Sequence, residues 1–375
     1  MLRKFPAIFL ILILFLSCTK QGTEGILEIE GLTYSRSVEL EYAKTFRADM
    51  YSDDFALLTV SESDRYLLVP PKHTAPENLP SEVKVIQLPL QNACLCASSA
   101  MSLIARLGAL DKIRFSAIQK KDWYIEDAVC AMGNGSILYA GKYNAPDFEL
   151  LMNGKCPLAI ESTMIYHSPQ ILEKLESLGI TVFVDKSSYE EHPLGRMEWI
   201  KAYGLLMGKF DEAESFFRNQ AERAGKTETA AGNQKTIAFF YITPTGTVAI
   251  RGSDDYIVKM IELSGGKYAF NKTRKSKSPS IQISMEEFYA QGANADILIY
   301  NSSIDNTVHT MSDLLEKNQL LAEFKAVKSG NVWATGKYLY QATDRIGDMI
   351  LDLNAIVQGN SSVSEEKMNF LAKVK

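Results

Sequence analysis

Apolar and polar residues alternate in short runs from Ile26 to Pro70, as in Ala56-Leu57-Leu58-Thr59-Val60 and Tyr66-Leu67-Leu68-Val69, which is the period of strands and predicts a small β-hairpin preface. A proline-bearing loop from Pro70 to Pro80 follows. The run Val83 to Leu90 then predicts a buried strand, and Ser98 to Leu107, closed by Gly108, predicts a helix with a glycine cap. The same order returns further on: Ile237 to Ile242 as strand, Thr243 to Asp254 as loop, Tyr256 to Leu263 as helix, and Gly265-Gly266 as its cap. A second pair matches too. Asp147 to Leu151 leads into Pro157-Leu158-Ala159-Ile160, and Ser284 to Phe288 leads into Ala295 to Tyr300.

Two similar α/β lobes account for this repetition, each with a mainly parallel central sheet flanked by helices. Between them Trp199, Ile200, Tyr203, Leu206, Met207 and Phe210 recur at intervals of three and four, which predicts a long connecting helix over 194–225. Gly208 should interrupt it, and Asp211 with Glu214 fits a capping box that restarts it. The expected division is 1–17 leader, 18–80 linker and N-terminal β extension, 81–193 first lobe, 194–225 connector, 226–360 second lobe and 361–375 tail.

The N-terminus changes the setting. Arg3 and Lys4 precede an apolar run from Phe5 to Leu16, too short for a span of about 20 residues, and it ends in Ser17-Cys18. This resembles a secretory signal closed by a lipobox, with Cys18 as the lipidated residue and the mature protein anchored to a bacterial membrane in the periplasm. The rival is a plain signal peptide with an incidental cysteine. Cys94, Cys96, Cys130 and Cys156 remain: a buried-thiol reading leads, with a Cys130–Cys156 bridge and a Cys-Leu-Cys metal site as alternatives. Net charge is −5 over 375 residues with 40 basic and 45 acidic side chains, which argues against a nucleic-acid binder. The four histidines are scattered, so no metal held directly by the protein is expected.

The ordered set of segments resembles a known family. Leu107-Gly108-Ala109-Leu110-Asp111-Lys112-Ile113, Pro146-Asp147-Phe148-Glu149 before Cys156 to Ile160, and Leu178-Gly179-Ile180-Thr181-Val182 are its first-half marks. Ser264-Gly265-Gly266, Ser284-Met285-Glu286 before Ala295 to Ile299, and Ala326 to Val332 are those of the second. Together they are similar to periplasmic substrate-binding proteins of ABC importers for iron–siderophore, haem and cobalamin, whose lobes are joined by a helical backbone. His192 to Lys201 looks like the form seen in Bacteroidetes-type lipoprotein members.

The resemblance implies a monomeric receptor with no intrinsic cofactor. It would capture a ferric siderophore, haem or cobalamin and hand it to an importer's permease dimer, with Glu149 and Glu286 as the acidic docking pair. Many members carry a Ser-Pro-Ser-Ala-Thr-Glu run where this chain has Gln91 to Ser99, so the ligand class is open and that loop is expected to face the cleft. Polar and aromatic residues after strand ends are the ligand-binding candidates: Gln91, Ser98, Tyr143, Tyr166, His192, Arg196, Tyr241, Arg251, Arg274, Tyr338 and Tyr340. The three arginines could pair bidentately with ligand carboxylates or serve internal ion pairs.

Enzyme signatures are missing: there is no Gly-x-Ser-x-Gly elbow, no His-Glu-x-x-His, and Gly204 to Phe210 lacks the spacing of a phosphate loop. Two readings stand beside the importer receptor. One is a tetrapyrrole metal chelatase using His167 or His192 as a pocket base; the other is a binding lipoprotein that serves an outer-membrane receptor.

Overall fold

A computed structural model describes residues 25–61, 63–225, 234–270, 280–359 and 368–375. The leader, Cys18, Arg274, most of the Lys226 to Gln234 joint and the start of the tail lie outside the described residues.

The N-terminal extension is larger than a hairpin. Strands β1 (Tyr34–Ser37), β2 (Phe46–Tyr51), β3 (Ala56–Val60), β4 (Asp64–Val69) and β5 (Val83–Gln87) form one sheet in that order, antiparallel except for the β4–β5 pair. Val83 to Gln87 is thus a strand as expected, but it completes the extension. The first strand of the first lobe is instead β6 (Ala93–Leu95), three residues inside the segment read as a cleft loop.

The first lobe continues through α1 (Ser98–Arg106), β7 (Ile113–Ser116), α2 (Glu126–Gly133), β8 (Leu138–Tyr139), a two-stranded ribbon β9 (Gly141–Lys142) and β10 (Ala145–Pro146), α3 (Phe148–Asn153), β11 (Leu158–Ser162), α4 (Pro169–Ser177) and β12 (Thr181–Asp185). Its sheet runs β12-β11-β6-β7-β8 and is parallel throughout. Crossover helices make a parallel sheet buried on both faces, which explains the unbroken apolar runs in its strands. Gly108, at φ +64°, closes α1 as the sequence requires.

The connector is α5 (Pro193–Glu198), α6 (Ile200–Met207) and α7 (Phe210–Gly225). Gly208 adopts φ +68°, a left-handed conformation that costs other residues more, and it breaks the helix where the sequence indicates. The break is a tight corner: a Cβ on Gly204 would stand 2.6 Å from the Cβ of Ala213, so α6 and α7 cross where only a bare Cα fits. The restarted helix begins at Phe210, not after a cap at Asp211, because Lys209 O accepts from Ala213 N; Asp211 and Glu212 occupy its first turn.

The second lobe contains β13 (Thr236–Ile242), β14 (Val248–Ile250), α8 (Tyr256–Leu263), β15 (Lys267–Tyr268), β16 (Ile281–Ile283), α9 (Met285–Gly292), β17 (Ile297–Tyr300), α10 (Met311–Lys317), α11 (Lys325–Lys328), β18 (Val332–Thr335), α12 (Ile346–Gln358) and β19 (Leu371–Lys373). Its order is β16-β14-β13-β17-β18-β19, with β15 on the start of β13. The central strands are parallel, while β14, β16 and β19 add antiparallel edges, so the stretch read as one loop from Thr243 to Asp254 holds a strand. One apolar core runs without interruption from Phe46 in the extension through Trp199 and Tyr203 in the connector to Phe239 and Ile350 in the second lobe.

Candidate functional site

Parallel strands deliver their following loops to one edge of a sheet, and this is where ligands of open α/β sheets are held. On the second-lobe side Tyr340 receives a hydrogen bond from the Arg251 guanidinium and another, 2.7 Å long, from Asn301 Nδ2 just past β17. Arg251 is 7% exposed, lies 3.6 Å from the Asp255 carboxylate and reaches over the Phe239 and Tyr340 rings. Its charge is therefore engaged inside the lobe, where it and Asn301 fix the Tyr340 hydroxyl. Tyr241 stands beside this network, half-buried.

Arg196 departs from the expectation. Its guanidinium donates to the backbone carbonyls of Ser188 and Glu190, and Tyr256, the first residue of α8, lies flat under it at 3.6 Å. A planar cation held by two carbonyls and a ring bridges the lobes and leaves little for a bidentate ligand carboxylate.

Gln91 is also displaced. It precedes β6, at the opposite end of the strand from the cleft edge, because the strand it was expected to follow belongs to the extension. Ser98 opens α1 beyond the C-terminal end of β6, as expected. Tyr166 is exposed beside Lys186, with its hydroxyl 3.5 Å from Asp64 of the extension. Tyr143 sits in the turn of the β9–β10 ribbon. Tyr338 lines a cavity of about 490 Å³ with Arg106, Tyr124 and Asp344.

His192 falls in a more enclosed place. Its Nδ1 accepts from Leu194 N at 3.2 Å as the cap of α5, and its ring stacks on Tyr42 at 4.5 Å. Burial, reinforced by Lys259 and Lys44, holds its pKa below the usual value. His192 and Tyr42 line a cavity of about 600 Å³ with Lys44, Glu190, Glu191, Asp254, Asp255 and Lys259. The extension, the start of the connector and α8 thus meet around one opening.

Two carboxylates that sequence reading passed over fix this opening. Glu198 is fully buried and accepts from the backbone N–H groups of Glu41, Tyr42 and Ala43 at 2.8–2.9 Å and from Lys201 Nζ at 2.9 Å. Glu190 accepts from Lys44 N, Thr45 N, Thr45 Oγ1 and Trp199 Nε1. A charged acceptor makes each of these bonds stronger than a neutral one would. The partners in the extension lie more than 140 residues away, so no local pattern could have exposed them.

The four cysteines Cys94, Cys96, Cys130 and Cys156 are free, which answers the bridge reading. Cys94 and Cys96 sulfurs are 3.9 Å apart on one face of β6, and Glu161 of the neighbouring strand is buried beside them. The Cys96 thiol is pushed up by its hydrogen bond to Cys94 and by burial, and Cys156 rises to about 12 by burial, so both stay protonated and make poor metal ligands. Among the described residues no group of three or more His, Cys, Asp or Glu side chains could hold a metal ion.

Burial, opposed by a hydrogen bond with Cys96, lifts the Glu161 carboxyl to about 7. Between the ordinary glutamate range and that value the folded chain holds a proton that the unfolded chain has released, so stability falls as pH rises through this window, by on the order of 3 kcal/mol. Glu161→Gln is expected to narrow the difference between urea midpoints at about pH 5 and about pH 8. An unchanged difference would assign the effect to other groups.

The docking candidates keep their matched geometry. Asp147 caps α3 by accepting from Leu150 N, Ser284 caps α9 by accepting from Glu287 N, and Glu149 and Glu286 are exposed two residues past each cap.

Comparison with known proteins places this architecture. A model of the family described as periplasmic binding protein matches residues 96–339. Two uncharacterized lipoproteins of Methanocaldococcus jannaschii are each 26% identical, one over 97% of this chain and 97% of its own length, the other over 76% and 69%. The periplasmic heme-binding protein HutB of Vibrio cholerae superposes with a TM-score of 0.57 at 17% identity, covering 70% of this chain and 98% of that one. A periplasmic heme-binding protein of Pseudomonas aeruginosa gives 0.57 at 16%, over 76% and 99%, and the vitamin B12-binding protein BtuF of Vibrio cholerae gives 0.52 at 19%, over 72% and 97%. At these identities the solved structures speak for the fold.

Proposed function

The chain belongs to the periplasmic binding protein family, and from that premise we propose that it is a lipid-anchored solute receptor that takes a metal chelate into the cleft between its lobes and delivers it to an ABC importer. The observation that carries the reading is that both lobes place polar groups just past the ends of their strands: Arg251 and Asn301, following β14 and β17, hold the Tyr340 phenol, and Ser98 and the Asp185 to His192 loop follow β6 and β12. Such a site has the concave, aromatic and sparsely polar character of small-molecule sites. The solved structures that share the fold include heme- and vitamin B12-binding proteins, which favours haem, a corrinoid or a ferric siderophore as cargo. The lipoprotein description of both curated relatives supports an anchor at Cys18. Among the described residues no helix is long and apolar enough to cross a membrane.

Titration of the purified protein with haemin, cyanocobalamin and a ferric siderophore, followed by absorbance and tryptophan quenching, tests the reading. A saturable change with one of them is expected, and its absence with all three would overturn the receptor assignment. Glu149 and Glu286 are the proposed contacts to the importer, supported by their equal offset from the caps of α3 and α9.

A further inference from the structure

The family match begins at residue 96, so the sheet built from β1 to β5 lies before it, yet one of its loops lines a cavity together with residues of the second lobe. We propose that residues Glu39 to Thr45 form a ligand-contacting wall that closes one end of the cleft, and that the cavity behind Tyr42 receives an uncharged or cationic, hydrogen-bonding edge of the chelate. This rests on the receptor reading and gives it a selectivity.

Three observations carry it. First, the loop is built in: Glu198 and Glu190 bind five consecutive backbone N–H groups, from Glu41 to Thr45, Glu190 from the segment that enters the connector and Glu198 from the connector's first helix. A loop gripped along its main chain keeps its side chains in fixed places, which spares the ordering cost of closing on a ligand. Second, it faces open space. Tyr42 and Lys44 stand on one side of the cavity of about 600 Å³, and Ser253, Asp254 and Lys259 of the second lobe stand on the other. Its volume suits a side group of a chelate. Third, the lining has a charge preference. Five carboxylates, those of Glu190, Glu191, Asp254, Asp255 and Glu262, line it against the ammonium groups of Lys44 and Lys259; Glu262 is paired with Lys259 at 3.1 Å, Asp255 faces Arg251 at 3.6 Å and Glu190 binds main-chain N–H groups, so the excess negative charge rests on Glu191 and Asp254 and on an incompletely neutralised Glu190. A ligand carboxylate entering here meets net negative charge, whereas amide, hydroxyl or amine groups meet acceptors and the stacked Tyr42–His192 pair.

The test uses the full chain and two substitutions on opposite sides of the opening. Tyr42→Ala keeps the main-chain grip but removes the ring, and Ser253→Trp fills the cavity from the second lobe. Each is titrated with ferrioxamine B, a cationic hydroxamate chelate, with cyanocobalamin, whose rim carries amides, and with haemin, whose rim carries two carboxylates. The unsubstituted protein is expected to bind ferrioxamine B or cyanocobalamin more tightly than haemin, and each variant that melts as the parent does to lose that binding by roughly tenfold or more. Preferential binding of haemin would overturn the charge preference. If the parent binds a chelate and the folded variants bind it equally, the wall is not part of the site although the receptor reading survives; if the parent binds none, both readings fall. Should Tyr42→Ala not fold, Ser253→Trp decides alone.

Discussion

Replacing Glu198 with alanine is expected to destabilise the protein by about 3–5 kcal/mol, the range found when one partner of a buried ion pair is removed, and to lower the melting midpoint by roughly 5 °C. The carboxylate has no exposure to water and is the acceptor for three backbone N–H groups and for the Lys201 ammonium, which is itself buried and otherwise meets Glu39 O at 2.8 Å and the Phe217 ring at 4.8 Å. Its loss leaves three donors and one cation without the charge that compensated their burial. Glu198→Gln preserves the shape and one acceptor oxygen, so an intermediate loss is expected. Joint replacement of Glu198 by leucine and Lys201 by methionine should recover part of the stability, because no isolated charge then remains. A midpoint unchanged in Glu198→Ala, read by circular dichroism or calorimetry, would mean that the extension does not depend on this contact.

The second large effect concerns delivery. Reversing both Glu149 and Glu286 to lysine is expected to abolish uptake of the cargo while ligand affinity stays within about twofold, since juxtaposing like charges at an interface costs several kcal/mol. Both side chains are exposed in the first turns of α3 and α9, so inside the protein the change removes a favourable interaction with the helix N-terminus and, at Glu286, the hydrogen bonds it makes with its own backbone N–H and with Ser284. Glu287, whose N–H bonds the Ser284 cap, should be reversed separately as the control. Uptake that persists in the double variant would remove the docking role from this pair.

Caps and glycine corners were readable because they are local chemistry: Asp147 and Ser284 cap the helices expected of them, and Gly108 and Gly208 take the left-handed angles that end theirs. Strand membership was not. Val83 to Gln87 has the pattern of a buried strand wherever it pairs, and only its register with β4, Arg65 opposite Val83 through Val69 opposite Gln87, assigns it to the extension. The displaced strand, Ala93-Cys94-Leu95, is too short for periodicity to show. The same slip moved Gln91 from the cleft edge to the far end of the sheet. For Arg196 the sequence leaves open a ligand carboxylate or an internal partner, and the structure supplies internal partners, two backbone carbonyls and the Tyr256 face. Tyr42 and Lys44 were invisible as site residues because what brings them there is the pair Glu190 and Glu198, more than 140 positions downstream.

That separation also sets an order of assembly. Synthesis delivers β1 to β5 first, but the main-chain donors from Glu41 to Thr45 find their acceptors only when residues 190–198 arrive. Contacts of such sequence separation are slow to form. A nascent or prematurely ended chain that stops short of the connector therefore presents the Glu39 to Thr45 stretch as an ungripped strap, open to proteases. Completion of the polypeptide past Glu198 and Lys201 is the event that closes it, so resistance to cleavage in this loop reports that a chain has been finished as well as folded.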